Sequence, residues 1–176
     1  MKNIIIPVVI VLVFIAIGLF VVGKDDTDNK SEPKNNEVVV IKESEVSTTS
    51  TSMVLNLSGK GLTAVPMSAF AETKIEELNL SNNALTGALP SQVGALQNLK
   101  VLNLSNNNFT GVPAEIGQLS KLEVLDLSDN KLTGLPNELG NLRNLKLLDI
   151  SGNQYSKTDL EVIRKNLSSS TVIKTE

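Results

Sequence analysis

The stretch Leu99-Lys100-Val101-Leu102-Asn103-Leu104-Ser105-Asn106-Asn107-Asn108-Phe109 sets the frame of this chain. Its centre, Leu-x-Leu-Ser, recurs as Leu55-Asn56-Leu57-Ser58, Leu78-Asn79-Leu80-Ser81 and Leu125-Asp126-Leu127-Ser128, with Leu148-Asp149-Ile150-Ser151 as a fifth copy. Successive copies lie 23, 24, 23 and 23 residues apart. A period this short and regular means a stack of small units, each burying its apolar face only against its neighbours. Function is then expected on a surface rather than in a pocket.

Leu102 and Leu104 alternate around Asn103, as the residues of a half-buried strand do. One short strand per unit predicts a parallel sheet. A turn that curls away from such a strand leaves backbone N–H and C=O groups inside the coil, and each one left unpaired costs about 1–3 kcal/mol. Asn carries two donors and an acceptor on one carboxamide, so Asn83, Asn107, Asn130 and Asn153 are expected to form a structural asparagine ladder rather than a site. Each unit then runs through Thr-Gly to a proline (Pro90, Pro113, Pro136), where Gly permits a turn and Pro fixes an extended exit. The segments after the prolines, such as Ile116-Gly117-Gln118-Leu119, are too short and Gly-interrupted for a stable α-helix, which predicts short helical or 3₁₀ turns.

The frame Leu-x-x-Leu-x-Leu-x-x-Asn fits from Leu99, Leu122 and Leu145, and from Ile75 with Ile in the first place. It closely resembles the leucine-rich repeat family over roughly residues 53–175. That resemblance implies an α/β solenoid, a horseshoe with a parallel sheet on its concave face and short helical or 3₁₀ turns on its convex face. The convex pattern is similar to the variant common in plant receptors and many bacterial members, although only the unit containing Ala88 has that variant's full Gly-to-Pro spacing. The first unit has Lys60 at the ladder position and reads as an amino-terminal cap. At the other end, Thr158 or Asp159 can N-cap a helix through Asn166, with Thr171-Val172-Ile173 as a last edge strand. The repeats are thus assigned to 53–155 and a helix-and-strand cap to 156–176.

Before the repeats, Ile4 to Val22 is an uncharged, mostly apolar run of 19 residues. At ~1.5 Å per residue it reaches about 28 Å, close to the roughly 30 Å hydrocarbon core of a bilayer. Residues 1–23 are therefore expected to form one amino-terminal transmembrane helix, a signal-anchor, with a cleaved signal peptide as the alternative. The order of a charged start and a long apolar run favours export of the carboxy-terminal part, while the bare count of basic residues, Lys2 before the run against Lys24, Lys30 and Lys34 after it, does not favour an inside amino-terminus. The expectation is a single-pass cell-membrane protein with extracytoplasmic repeats, or a secreted one if the segment is cleaved. Residues 24–52 turn polar, with Pro33 and a Ser/Thr run, and read as a flexible linker in which Val38-Val39-Val40-Ile41 could form a strand. Exported animal and plant members of the family usually close their ends with disulfides. This chain has no Cys and looks bacterial by resemblance.

The absence of both His and Cys removes the commonest general base, the thiol nucleophile and the usual zinc ligands. The acids of the repeats are scattered over separate turns, and no phosphate-cradling glycine motif occurs, so no catalytic residue, metal ligand or cofactor is assigned and an enzyme is not expected. A net charge of −3 without a basic stripe argues against nucleic acid. The glycosylation-type triplets at Asn56, Asn79 and Asn103 are simply the repeat consensus.

What remains is the outward face of the sheet, where strand alternation predicts three columns of side chains. The first is Val54, Glu77, Val101, Val124 and Leu147. The second is Asn56, Asn79, Asn103, Asp126 and Asp149, and the third Ser58, Ser81, Ser105, Ser128 and Ser151. Residues from Glu77 to Ser151 in these columns are the candidate binding surface, with Val101, Val124 and Leu147 as an apolar row beside Asp126 and Asp149. The expected partner is a protein or peptide, or an envelope glycan. A self-associating structural scaffold is the alternative.

Overall fold

The structure is a computed structural model describing residues 53–176. The segments read as a membrane span over 4–22 and a linker over 24–52, with its Val38–Ile41 strand, lie outside the described residues. Among the described residues no helix is long and apolar enough to cross a membrane.

Each Leu-x-Leu copy carries a three-residue strand that starts one residue before its first leucine and ends just before the second apolar residue. In chain order the strands are β1 (Val54–Asn56), β2 (Glu77–Asn79), β3 (Thr86–Ala88), β4 (Val101–Asn103), β5 (Asn108–Gly111), β6 (Val124–Asp126), β7 (Leu147–Asp149) and β8 (Val172–Lys174). Six of them form one all-parallel sheet in the order β1-β2-β4-β6-β7-β8. Equivalent residues pair across it: Leu78 with Leu102, Leu102 with Leu125, Leu125 with Leu148. Register is held because a one-residue slip would turn these leucines out to solvent.

Behind the sheet lies a continuous apolar core. Leu78, Leu80, Leu102, Leu104, Leu125 and Leu148 are fully buried and meet Leu96, Leu119 and Leu142 from the far side of the coil. Full burial of one such side chain stabilises by about 1.5–3 kcal/mol, and here each leucine faces its counterparts in the units above and below. The far side is built from 3₁₀ turns at Met67–Phe70, Ser91–Ala95, Ala114–Gln118 and Asn137–Asn141, each entered from a proline in extended conformation. The glycine inside the last three of these turns is needed for close approach: a Cβ on Gly117 would lie 2.8 Å from the Glu138 Cβ and 2.9 Å from its carbonyl carbon. Adjacent turns could not then stack as they do.

Two features go beyond the expectations from sequence. β3 and β5 pair in parallel as a separate two-stranded sheet, with a register shift between Gly87 and Ala88. The residue passed over at the shift is Thr110 of β5, while Ala88, the extra residue of the longer unit, pairs with Gly111. A column of left-handed backbone also runs down the coil, at Asn82, Asn106 and Asp129 with φ of 56°, 54° and 52° and at Gly59 and Gly152 with φ of 63° and 67°. Gly, Asn and Asp are the residue types that adopt this conformation most cheaply.

The cap at the carboxy-terminal end needs two corrections. Helix α1 spans Lys157–Asn166 with Ser156 at its N-cap, so neither Thr158 nor Asp159 caps it. The Asp159 carboxylate instead accepts the Leu135 N–H at 3.2 Å, tying the first turn of α1 to the neighbouring repeat. The last strand is Val172–Lys174, one residue later than expected, because Thr171 turns its hydroxyl to donate to the Leu145 carbonyl at 2.7 Å. It is the sixth strand of the sheet, at the edge where a last strand was expected. Ile163 and Leu167 of the cap are buried against the last unit.

Candidate functional site

The asparagine ladder fixes the strands that carry the outward face. The Asn107 carboxamide donates to the carbonyls of Leu80 (3.0 Å), Leu104 (3.0 Å) and Ser105 (3.1 Å), and accepts the Leu85 N–H at 3.1 Å. Asn130 makes the equivalent bonds to Leu104, Leu127, Ser128 and Phe109. Asn153 does so with Leu127, Ile150, Ser151 and Leu132. At the first rung Asn83 accepts two N–H groups, from Lys60 and Leu62. No buried side-chain polar atom is left without a partner among the described residues.

The three outward columns are brought together on one sheet face, but they differ in what they leave open. In the third column, Ser105, Ser128 and Ser151 turn back on the column beside them. Each donates its N–H and its Oγ–H to the Oδ1 of the residue two positions earlier: Ser105 to Asn103, Ser128 to Asp126, Ser151 to Asp149. Ser81 donates only its N–H to Asn79, its Oγ accepting from the Asn82 amide. Ser81 and Ser105 are 4% and 7% exposed. Most of the serine column therefore shapes the turn.

The first column stands apart from the core. Val101, Val124 and Leu147 are half-buried, and none belongs to the core or to the residues packed on it. β8 extends this row with Val172, which pairs with Leu147 and is 57% exposed. Four adjacent strands thus present aliphatic side chains in line. Beside them Glu76, Lys100, Glu123 and Lys146 alternate in charge on successive units, with ion pairs Lys100–Glu76 at 2.9 Å and Lys146–Glu123 at 2.6 Å. The Lys146 hydrogen bond and charge hold the Glu123 carboxyl below its ordinary range.

The second column carries the acids. Burial pushes the Asp149 carboxyl up, but hydrogen bonds from Ser151 and the Lys174 ammonium outweigh it and hold the group below its ordinary value. Lys174 lies on β8, opposite Asp149, with its Nζ 3.3 Å from Oδ2. Lys174 is not a residue that sequence reasoning singles out; its signal is its place two after Val172, in phase with Asp149. Asp126 has its Oδ1 held by Ser128, and no cation pairs with it among the described residues. No group of three or more acids among the described residues could hold a metal ion.

The comparisons with known proteins agree with this geometry. The family model described as "Leucine rich repeat" matches residues 52–109 and 97–154, more than half of the chain. A comparison with curated proteins finds no match. Among solved structures, a leucine-rich repeat protein of Leptospira interrogans is 40% identical with a TM-score of 0.59, over 64% of this chain and 28% of that one. The chain thus spans little more than a quarter of that relative. The ectodomain of the receptor kinase SOBIR1 from Arabidopsis thaliana is 34% identical with a TM-score of 0.56, over 69% of this chain and 67% of that one. The BIR3–SERK2 complex from Arabidopsis thaliana gives 32% identity and a TM-score of 0.57, over 69% and 66%. With its recurring Leu-x-Leu strands, its buried asparagine rungs and a family match across the repeats, this chain belongs to the leucine-rich repeat family.

Proposed function

We propose that this protein is a recognition module: a membrane-tethered leucine-rich repeat protein that binds another protein, a peptide or an envelope glycan through the outward, concave face of its sheet, outside the cytoplasmic membrane. The observation that carries the proposal is the row Val101, Val124, Leu147 and Val172, aliphatic side chains held outside the core on a sheet fixed from behind by the asparagine rungs. Six strands about 4.8 Å apart give a strip of about 24 Å, enough for an extended peptide or one face of a small domain. The similarity to a structure that is itself a complex, BIR3–SERK2, supports protein recognition. The apolar run Ile4–Val22 supplies the tether, which raises local concentration at the membrane so that a modest surface suffices.

The test is capture of envelope components by the full chain and by Val124→Asp, whose side chain lies off the core. A saturable partner retained by the first and lost by the second supports recognition; identical capture by both removes it. Protease digestion of intact cells and spheroplasts, with sequencing of the amino-terminus, tests the tether: repeats protected in both, or a start near Lys24, reject it.

One observation favours a second reading, a self-associating scaffold. The exposed large apolar residues of the described chain are Met53, Val54 and Met67 at the amino-terminal end and Val172 at the other. Concentration-dependent sedimentation without a selective partner would favour that reading over the first.

A further inference from the structure

We infer that Asp126 is the anchor for a basic side chain, so that the partner of this face is an extended aliphatic segment carrying a Lys or Arg; this rests on recognition through the same face. The fold itself makes a modest demand at this position. In the units of β1, β2 and β4 the residue is Asn56, Asn79 or Asn103, and its Oδ1 accepts the N–H of the serine two residues on. Asp126 and Asp149 make that bond with the same atom. The turn asks only for an acceptor oxygen, and an amide supplies it as well as a carboxylate does. The negative charge at these two positions is therefore surplus to the local fold.

At Asp149 the charge has an internal use, because Lys174 pairs with Oδ2 and the side chain is only 12% exposed. Glu76 and Glu123 on the neighbouring row are likewise matched to Lys100 and Lys146. Asp126 has no such match among the described residues, and its Oδ2 accepts no hydrogen bond there. One oxygen is pinned by two donors from Ser128 and the other is open. Such a carboxylate has little rotamer freedom left to lose on binding.

Its surroundings specify the ligand further. Val124 precedes it on the same face of β6, between Val101 on β4 and Leu147 on β7. Lys and Arg lay an aliphatic stem along apolar surface while their charged head seeks an acceptor. A basic side chain of the partner would cover Val124 with its stem and reach Asp126 with its head, and aliphatic neighbours in the same segment would meet Val101 and Leu147.

The test uses the full chain in detergent micelles and two labelled peptides, Gly-Val-Leu-Lys-Leu-Val-Gly and the same peptide with Glu in place of Lys, read by fluorescence anisotropy. The basic peptide should bind about tenfold more tightly, the scale of one charged hydrogen bond. Asp126→Asn should abolish that preference while keeping the fold, since Asn103 already does the same work one unit earlier. Glu138→Gln, a charge change on a 3₁₀ turn across the coil, should leave the preference intact. Equal binding of the two peptides, no binding of either, a preference that survives Asp126→Asn, or one lost with Glu138→Gln would each overturn the inference. Equal binding that Val124→Asp abolishes would remove Asp126 as anchor and leave the recognition face standing.

Discussion

Replacing Asn107 with Ala probes the ladder where its bonds can be counted. Four hydrogen bonds are lost, but their consequences differ. The Leu80 carbonyl keeps the Asn83 amide, the Leu104 carbonyl keeps the Asn130 amide, and the Ser105 carbonyl keeps the Asn82 N–H. Only the Leu85 N–H is left without an acceptor, inside a coil where Asn107 itself is 7% exposed. One orphaned buried donor at about 2 kcal/mol and three weakened acceptors at about 0.5 kcal/mol each give an expected loss of about 3–4 kcal/mol. Asn83→Ala is the control. Its acceptor serves Lys60 and Leu62 in the more open first unit, where water can replace it, and the expected loss is about 1 kcal/mol. Urea unfolding followed by circular dichroism, at constant detergent, compares the two. A loss below about 1 kcal/mol for Asn107→Ala, or equal losses for both, would refute the claim that the rungs stabilise by satisfying buried backbone.

Gly117→Ala is expected to cost about 1–3 kcal/mol, as overpacking does, because its Cβ meets the Glu138 backbone. Gly134→Ala, whose nearest neighbour would be 3.5 Å away, should fall within about 0.5 kcal/mol, and thermal melts distinguish the two. Asp149 has a lowered carboxyl pKa in the fold, so its stabilisation is complete above the ordinary carboxylate value of about 4 and is lost as pH falls through the folded value. Asp149→Asn should accordingly flatten the acid limb of a stability-against-pH curve; an unchanged limb would contradict the role given to Lys174. Asp159→Ala should strand the Leu135 N–H and cost about 1 kcal/mol, with faster hydrogen exchange at Leu135.

The sheet and the rungs were legible because they rest on periodicity. Leu102 and Leu104 alternate, and Asn107 recurs three residues after the second of them. The left-handed column was equally present in the letters Gly59, Asn82, Asn106, Asp129 and Gly152, but it reads as ordinary polar filler unless backbone conformation is asked of it. β3 could not be read, since Thr86-Gly87-Ala88 has no alternation and pairs only because β5 lies beside it. On the outward face, alternation gives the columns but not their bonding. The inward turn of Ser105 depends on a three-centre arrangement with Asn103, and the pairing of Asp149 with Lys174 spans 25 residues and a helix. The Asp159 bond to Leu135 is likewise a contact between units that an N-cap preference within one helix cannot reveal.

The rungs have a polarity. Each ladder asparagine takes its N–H from the unit before its own: Asn83 from Leu62, Asn107 from Leu85, Asn130 from Phe109, Asn153 from Leu132. The buried N–H left open in one unit is therefore always met by the ladder oxygen of its successor. On a ribosome, where the amino-terminal units emerge first, closure of each turn must trail synthesis by one full repeat, and the last turn waits for the Asp159 carboxylate and the β8 edge. The chain is wound shut from behind.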